Sequence, residues 1–268
     1  MEGIMALPIS IMFPIPSRDL EQIDLGSDLY IYHHLGLGDM IHLNGMVRYL
    51  LGKMEAGRQV HVFCKERNMA MTRWMYRDEE RVLLESIPTG MREGPEVQRV
   101  LRENRTKNFL SVGHRALRAF EQRYPARFFD ELFYMQVGLP YRIRYSHCHW
   151  ERDYEQEERV FAKLAPRGAY AFVHDDPERG YSIDSESIGL PIVRNDVTES
   201  IFHLGLLLER AREVHCMESS IRCMIESLSM RGVELYYHNF RYPERPLGEA
   251  TQLAWKQIDY PRGKSRAA

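Results

Sequence analysis

Residues 28–51 read "DLYIYHHLGLGDMIHLNGMVRYLL": a short β-prone apolar run, then a turn carrying Gly36, Gly38 and Asp39, then apolar residues at helical spacing. A strand that feeds straight into a helix cannot return as a hairpin, so this order calls for a crossover unit and a parallel sheet. The alternation persists. "QVHVFCK" (59–65), "RVLLESI" (81–87) and "KNFLSVG" (107–113) read as strands, and "RNMAMTRWMY" and "PEVQRVLREN" as the helices between them. From Phe128 to Leu164 the character changes to aromatic and charged residues ending in a helix with a Glu/Arg face. The pattern then resumes. "GAYAFVHDD", "LPIVRND", "EVHCME" and a last strand, "VELYYHNF", alternate with helices over "TESIFHLGLLLERA", capped by Asp196 or Thr198, and "SSIRCMIESLSM", ended by Gly232. The expected fold class is α/β, with halves at 1–125 and 166–268 joined by a connector at 126–165.

Composition narrows the function classes. The 268 residues carry 36 basic and 38 acidic side chains and are 44% hydrophobic, as in an ordinary soluble globular protein, and this balance gives no footprint for nucleic acid. The longest apolar runs, such as Leu204–Leu208, fall far short of the ~20 residues that span a bilayer, so no membrane span is expected. The N-terminal "MEGIMALPISIMFPIP" has an acid at Glu2, no basic flank and repeated prolines, unlike a secretory signal, which places the chain in the cytoplasm. Cys64, Cys148, Cys216 and Cys223 lack paired spacing and read as reduced thiols, three of them in the core.

Four stretches carry chemistry. The Gly36/Gly38 turn lets backbone N–H groups approach a ligand at a helix N-terminus, with Asn44 further along the same segment as a substrate-binding candidate. A dinucleotide fingerprint is disfavoured, because Ile41 stands where the third small residue belongs and no acid follows at the usual offset. A phosphate loop at Gly263-Lys264-Ser265 fails likewise, with Ile258 at its first glycine position. Asp39 reads either as a helix cap or as an acceptor for a hydroxyl proton. Glu218, Ser219 and Ser220 open a helix after a strand, as a capping group or as a diphosphate site. In "FVHDDPERGYSI", His174 ends a strand and Arg179 follows in a turn, a solvated loop or a clamp for diphosphate. His238 and Arg241 are read as lying just beyond the last strand, at the same sheet edge. "HCH" at 147–149 has neighbours pointing to opposite faces and no partner motif, so no metal site is expected there.

These motifs together, with Lys65 and the "YMQVGLPYRIRY" and "ERDYEQE" stretches of the connector, resemble small glycosyltransferases of the GT-B type over nearly the whole chain. The Gly-x-Gly-Asp turn is similar to the N-terminal motif of heptosyltransferases, and the His174-to-Arg179 loop followed by a Ser-Ser helix start resembles GT-B fucosyltransferases. The resemblance implies two Rossmann-like halves facing across a cleft, a nucleotide-sugar donor held by the C-terminal half and a glycan or small-molecule acceptor by the N-terminal half. It also implies a metal-independent transfer with no cofactor, since the sequence lacks an Asp-x-Asp motif, so that Arg179, Lys65 and the Ser219-Ser220 helix start would meet the diphosphate charge. Asp39 is then the base and His174 the second candidate. A non-catalytic nucleotide- or carbohydrate-binding module and another nucleotide-using Rossmann enzyme are the alternatives; the sequence does not define an oligomeric state.

Overall fold

The strand-like runs owe their place to burial on both faces. Leu29–Tyr32 (β1) is buried at every residue, which only a central strand of a sheet covered on both sides allows. The structure, a computed structural model, describes residues 20–125, 127–241, 247 and 251–260. The N-terminal stretch and Gly263-Lys264-Ser265 lie outside them.

Two parallel sheets form, as the alternation requires. In the first, Val60–Lys65 (β2), Val82–Ile87 (β3) and Phe109–Ser111 (β4) join β1 in the order β3-β2-β1-β4. In the second, Ala171–His174 (β5), Ile192–Arg194 (β6), Glu213–Met217 (β7), Glu234–Asn239 (β8) and Trp255–Asp259 (β9) take the order β6-β5-β7-β8-β9. Each order reverses beside the half's first strand: β1 lies between β2 and β4, and β5 between β6 and β7. Such a reversal opens a crevice at the carboxyl ends of the strands.

Leu37–Leu51 (α1) joins the halves. It is buried on almost every side, from Met40 through Val47, as befits a helix enclosed by other elements rather than lying on a surface. Its neighbours are Phe129–Gln136 (α5) and Ile143–Ser146 (α6) from the connector region, and Ser220–Ile225 (α9) from the second half. Glycines make the approach possible. A Cβ on Gly45 would lie 2.6 Å from the carbonyl oxygens of Ile143 and Arg144, and one on Gly38 would lie 3.3 Å from Cys223 Sγ and 3.6 Å from Ser220 Cα. The connector packs as firmly: Tyr134 donates from its hydroxyl to the His42 carbonyl at 2.8 Å and accepts from the Met46 N–H at 3.2 Å. One continuous apolar core runs from β1 and α1 to Phe172, Val214 and Met224 of the second half.

Met69–Met75 (α2) and Glu93–Glu103 (α3) fall where the helical spacing puts them. Several elements depart from the sequence reading, among them α5 and α6, which lie in the connector before its one expected helix. His114–Arg123 (α4) was not anticipated. Residues 198–211 are not one helix but a 3-10 turn over Ile201–His203 and a short helix, Gly205–Glu209 (α8). Ser200, not Asp196 or Thr198, caps the turn, and Asp196 instead accepts from the Thr198 N–H and hydroxyl. The break has a cause in Tyr154–Leu164 (α7), whose buried Glu157 accepts the Leu206 N–H at 2.8 Å and fills the space beside Gly205. Helix α9 ends at Ile225 because its next residues tighten into turns, Ser227 N–H to Met224 O and Leu228 N–H to Ile225 O. The strand β8 is not the last: β9 pairs with it along its whole length.

The Gly45 contact is with backbone, which cannot rotate away. Gly45→Ala should lower stability by about 1–3 kcal/mol through overpacking, although alanine prefers a helix by about 1 kcal/mol. Gly52→Ala, whose added carbon would meet nothing closer than 3.4 Å, should be nearly neutral, and denaturant unfolding of both variants checks the pair.

Candidate functional site

The carboxyl ends of β1, β5 and β7 lead into the loops that line one cleft. A cavity of about 340 Å³ is bounded by His34, Asp39, His42, Leu117, Glu121 and Phe129 on one side and Glu218, Cys223 and Arg241 on the other. A second, of about 700 Å³, is bounded by His174, Asp175, Arg179, Arg194 and Asn195. Gly36, Gly38, Glu218, Ser219, Ser220 and Arg241 line both, so the cavities are two lobes of one cleft with the α1–α9 contact at its waist.

Asp39 stands at that waist. Gly36 is the N-cap of α1 and Asp39 occupies the third helical position, where its Oδ2 accepts the Gly36 N–H at 3.2 Å. It is therefore half of a capping box, and its carboxyl also lines the smaller lobe. Burial pushes its pKa up to about 7; the Gly36 hydrogen bond opposes this, Glu218 and Asp130 add to it, and Arg241 pulls the other way. A carboxyl poised there exchanges a proton near neutral pH.

In the larger lobe, His174 Nδ1 lies 2.8 Å from Asn195 Oδ1, which orients the ring, and burial lowers its pKa. The imidazole is thus held neutral. Arg194 pairs with Asp175, and the largely exposed Arg179 with Asp176 at 3.2 Å, so each guanidinium reaches the cleft with a carboxylate beside it. Ser219 is the N-cap of α9, and its hydroxyl accepts the Arg222 N–H at 3.3 Å. The hydroxyl that the sequence left open to a phosphate is partly committed to the helix.

Three sequence candidates stand apart from the cleft. Asn44 is fully buried, its Oδ1 accepting the His149 N–H at 2.8 Å, so it ties the connector to α1. Lys65, at the end of β2, pairs with Glu93 at 2.7 Å. His238 lies inside β8 rather than beyond it and is buried; its Nε2 is 3.0 Å from His215 Nδ1 and its Nδ1 is 2.6 Å from the Tyr260 hydroxyl. Each makes a hydrogen bond or ion pair within the fold.

The sequence reading also passed over residues that the fold brings in. His34 Nε2 accepts the His114 N–H at 2.8 Å, which puts the proton of the neutral ring on Nδ1. His42 follows Asp39 by three residues and Cys223 follows Ser220 by three, so helical periodicity was the available signal. In the structure Cys223 Sγ is 3.1 Å from His42 Nε2, and His42 Nδ1 is 3.3 Å from Asp130 Oδ2. Asp130 in turn accepts from Tyr141 at 2.6 Å and from Arg144 at 2.5 Å. Of the four free cysteines, Cys64, Cys216 and Cys223 are buried, as the sequence indicated. No helix among the described residues is long and apolar enough to cross a membrane.

No protein-family model and no curated protein matches this chain. Among solved structures, it is similar to a glycosyl transferase family 9 protein from Veillonella parvula DSM 2008, with a TM-score of 0.55 and 11% identity over 88% of this chain and 87% of that one. Two looser matches are E. coli ADP-heptose LPS heptosyltransferase II, at a TM-score of 0.49 and 11% identity over 88% and 92% of the chains, and E. coli heptosyltransferase WaaC with ADP-2-deoxy-2-fluoro heptose, at 0.41 and 11% over 90% and 94%. The first match shows a shared fold: two α/β halves with parallel sheets facing a cleft, as the sequence indicated.

The raised pKa of Asp39 has a measurable sign. The folded chain keeps this proton up to about pH 7, whereas an unfolded aspartate releases it near pH 4, so its contribution to stability is full below pH ~4 and is lost as pH rises through about 7. Asp39→Asn imitates the protonated carboxyl and still accepts the Gly36 N–H. Its stability relative to wild type should climb between pH ~4 and ~7 and level off above, and a flat difference in unfolding free energy over that range would refute the assignment.

Proposed function

We propose that the chain is a glycosyltransferase that moves a sugar from a nucleotide-sugar donor to a hydroxyl group of a glycan or small-molecule acceptor. The observation that carries this reading is Asp39: a carboxyl with a pKa of about 7, lining the smaller lobe of a cleft to which both halves contribute residues. The fold shared with a glycosyl transferase family 9 protein supports it.

The acceptor occupies the smaller lobe, where Phe129 and Leu117 offer apolar surface and His34 and Glu121 polar groups for hydroxyls. Asp39, as carboxylate, takes the proton of the attacking hydroxyl while the bond from the sugar carbon to the diphosphate oxygen breaks. The nucleoside diphosphate leaves into the larger lobe, toward Arg179, Arg241 and the Ser219-Ser220 turn. Arg179 must exchange Asp176 for phosphate, which its exposure permits. Because protein cations meet the diphosphate charge, turnover does not depend on added Mg²⁺ or Mn²⁺. His174, on the donor side, is the second candidate base. We place this activity in the cytoplasm.

A panel of nucleotide-sugars assayed for transfer and slow hydrolysis tests the reading directly, with turnover expected when Mg²⁺ and Mn²⁺ are omitted. Asp39→Asn should lose ~10²–10⁴-fold in rate, the usual contribution of a positioned base, while nucleoside diphosphate affinity is unchanged. Arg179→Ala should show the converse, with affinity weaker by about tenfold or more, the equivalent of a charge-assisted hydrogen bond. Full activity in Asp39→Asn would move the base to His174. Absence of binding by every nucleoside diphosphate and nucleotide-sugar would overturn the function.

A further inference from the structure

We propose that His42, Cys223 and Glu218 form a binding site for a Zn²⁺-class dication at the floor of the smaller lobe, joining α1 of one half to α9 of the other. This goes beyond the glycosyl-transfer reading and does not need it. One ligand atom from each residue lies within 4.8 Å of the others, and all three side chains are buried yet line the cavity.

The geometry is close to what the metal requires. A thiol hydrogen bonded to imidazole directs both lone pairs at one proton, and Cys223 Sγ and His42 Nε2 are 3.1 Å apart. With Zn–S of about 2.3 Å and Zn–N of about 2.0 Å at a tetrahedral angle, the same two atoms stand roughly 3.5 Å apart. Replacing the shared proton by a dication thus moves each side chain by a few tenths of an ångström. Glu218 supplies the oxygen, and a fourth position faces the cavity. A nitrogen, sulfur and carboxylate set suits zinc or cobalt and not magnesium or calcium.

Two further observations point the same way. His42 Nδ1 has no well-aligned hydrogen-bond acceptor among the described residues, and neither has Asp130 Oδ1 a donor, although the imidazole and carboxylate lie 3.3 Å apart. Coordination at Nε2 makes the Nδ1 proton more acidic and draws this pair together, the usual support behind a metal-bound histidine. Charge is the second. Around the site stand three carboxylates, Asp130, Glu218 and Glu226, and two guanidiniums, Arg144 and Arg222. A dication that displaces the Cys223 proton adds one positive charge, which the carboxylates around the site can meet. Arg222 keeps Glu226 as its partner when Glu218 turns to the metal.

The probe is Co²⁺ added to the full chain, previously stripped by chelator and with no nucleotide or sugar present. One Co²⁺ per chain should bind with a thiolate-to-cobalt charge-transfer absorption, and Zn²⁺ should displace it and raise Tm. Cys223→Ser should abolish the absorption, His42→Gln should weaken binding on the order of tenfold or more, and Cys148→Ser should change neither. Should Cys223→Ser fail to fold, native mass spectrometry of wild type against His42→Gln with Zn²⁺ decides by stoichiometry. Binding that lacks the thiolate band, survives Cys223→Ser, or does not reach one ion per chain would overturn the site. All these readouts are silent on glycosyl transfer, so either proposal can fail alone.

Discussion

The close approach of α1 to α9 at Gly38 is the contact on which the rest of the molecule depends. A Cβ at this position would lie 3.3 Å from Cys223 Sγ, so the thiol would have to give by a few tenths of an ångström. Because α1 begins at the carboxyl edge of one sheet and α9 at that of the other, their contact sets the width of the cleft and decides what shares its waist. The glycines read from the sequence as room for a ligand are, at Gly38, room for another helix. Gly36 serves differently. Its extended backbone, with φ −71° and ψ 151°, starts α1 and offers the N–H that Asp39 accepts.

Beneath this contact lies a costly layer. Asp130, Arg144, Arg222, Glu218 and Glu226 are all nearly inaccessible to water, and a buried ion pair repays its desolvation only when nearly every polar atom finds a partner. Here most do, although Asp130 Oδ1, Arg144 Nη2 and Arg222 Nε have no well-aligned partner among the described residues. Arg144 reaches Asp130 and the Tyr141 and Tyr145 hydroxyls, and Glu226 takes Arg222, the Gln252 N–H and the Trp255 indole N–H. Burial alone would raise the Asp130 pKa, but His42, Arg144 and the Tyr141 hydrogen bond together hold it down at about 2, so it remains charged. Removing one partner would leave a buried charge alone, at a cost of about 3–5 kcal/mol. A cluster so intolerant of imperfect register fixes how the halves meet better than apolar surface, which slides.

Much of this was legible in the sequence, because periodicity reports burial and burial is what the sheets consist of. The runs at 59–65, 81–87 and 213–218 are strands to within a residue at each end. What failed was edge and junction structure. Strand β9 is half-exposed, with Trp255 and Ile258 out of alternation, so no two-residue period marks it. The break at Gly205 is imposed by Glu157, nearly fifty residues away, and no local pattern carries that information. The site divides the same way. Residues at strand ends, such as Asp39, His174, Arg179 and Glu218, reach the cleft because topology puts every strand end there. Asn44, Lys65 and His238 were judged by residue type alone, and the fold uses each for a hydrogen bond or ion pair of its own.

The proton affinity of Asp39 then follows from the architecture rather than from the residue. An aspartate at the start of an isolated helix would ionise readily, since the helix dipole favours its charge. Here the opposing effects prevail: burial withdraws water from it, and Glu218 and Asp130 face it with like charge, while the Gly36 N–H supplies the main relief and Arg241 a smaller one. Glu218, Asp130 and Arg241 all lie outside α1, and Gly38 and Gly45 are where α9 and α6 come closest to it. Opening the α1–α9 contact would hydrate the carboxyl and move Glu218 away, returning Asp39 to the acidity of a surface aspartate, too weak a base to take a hydroxyl proton effectively. The packing that holds the halves together and the basicity available in the cleft are therefore linked through the close approach of helices to α1.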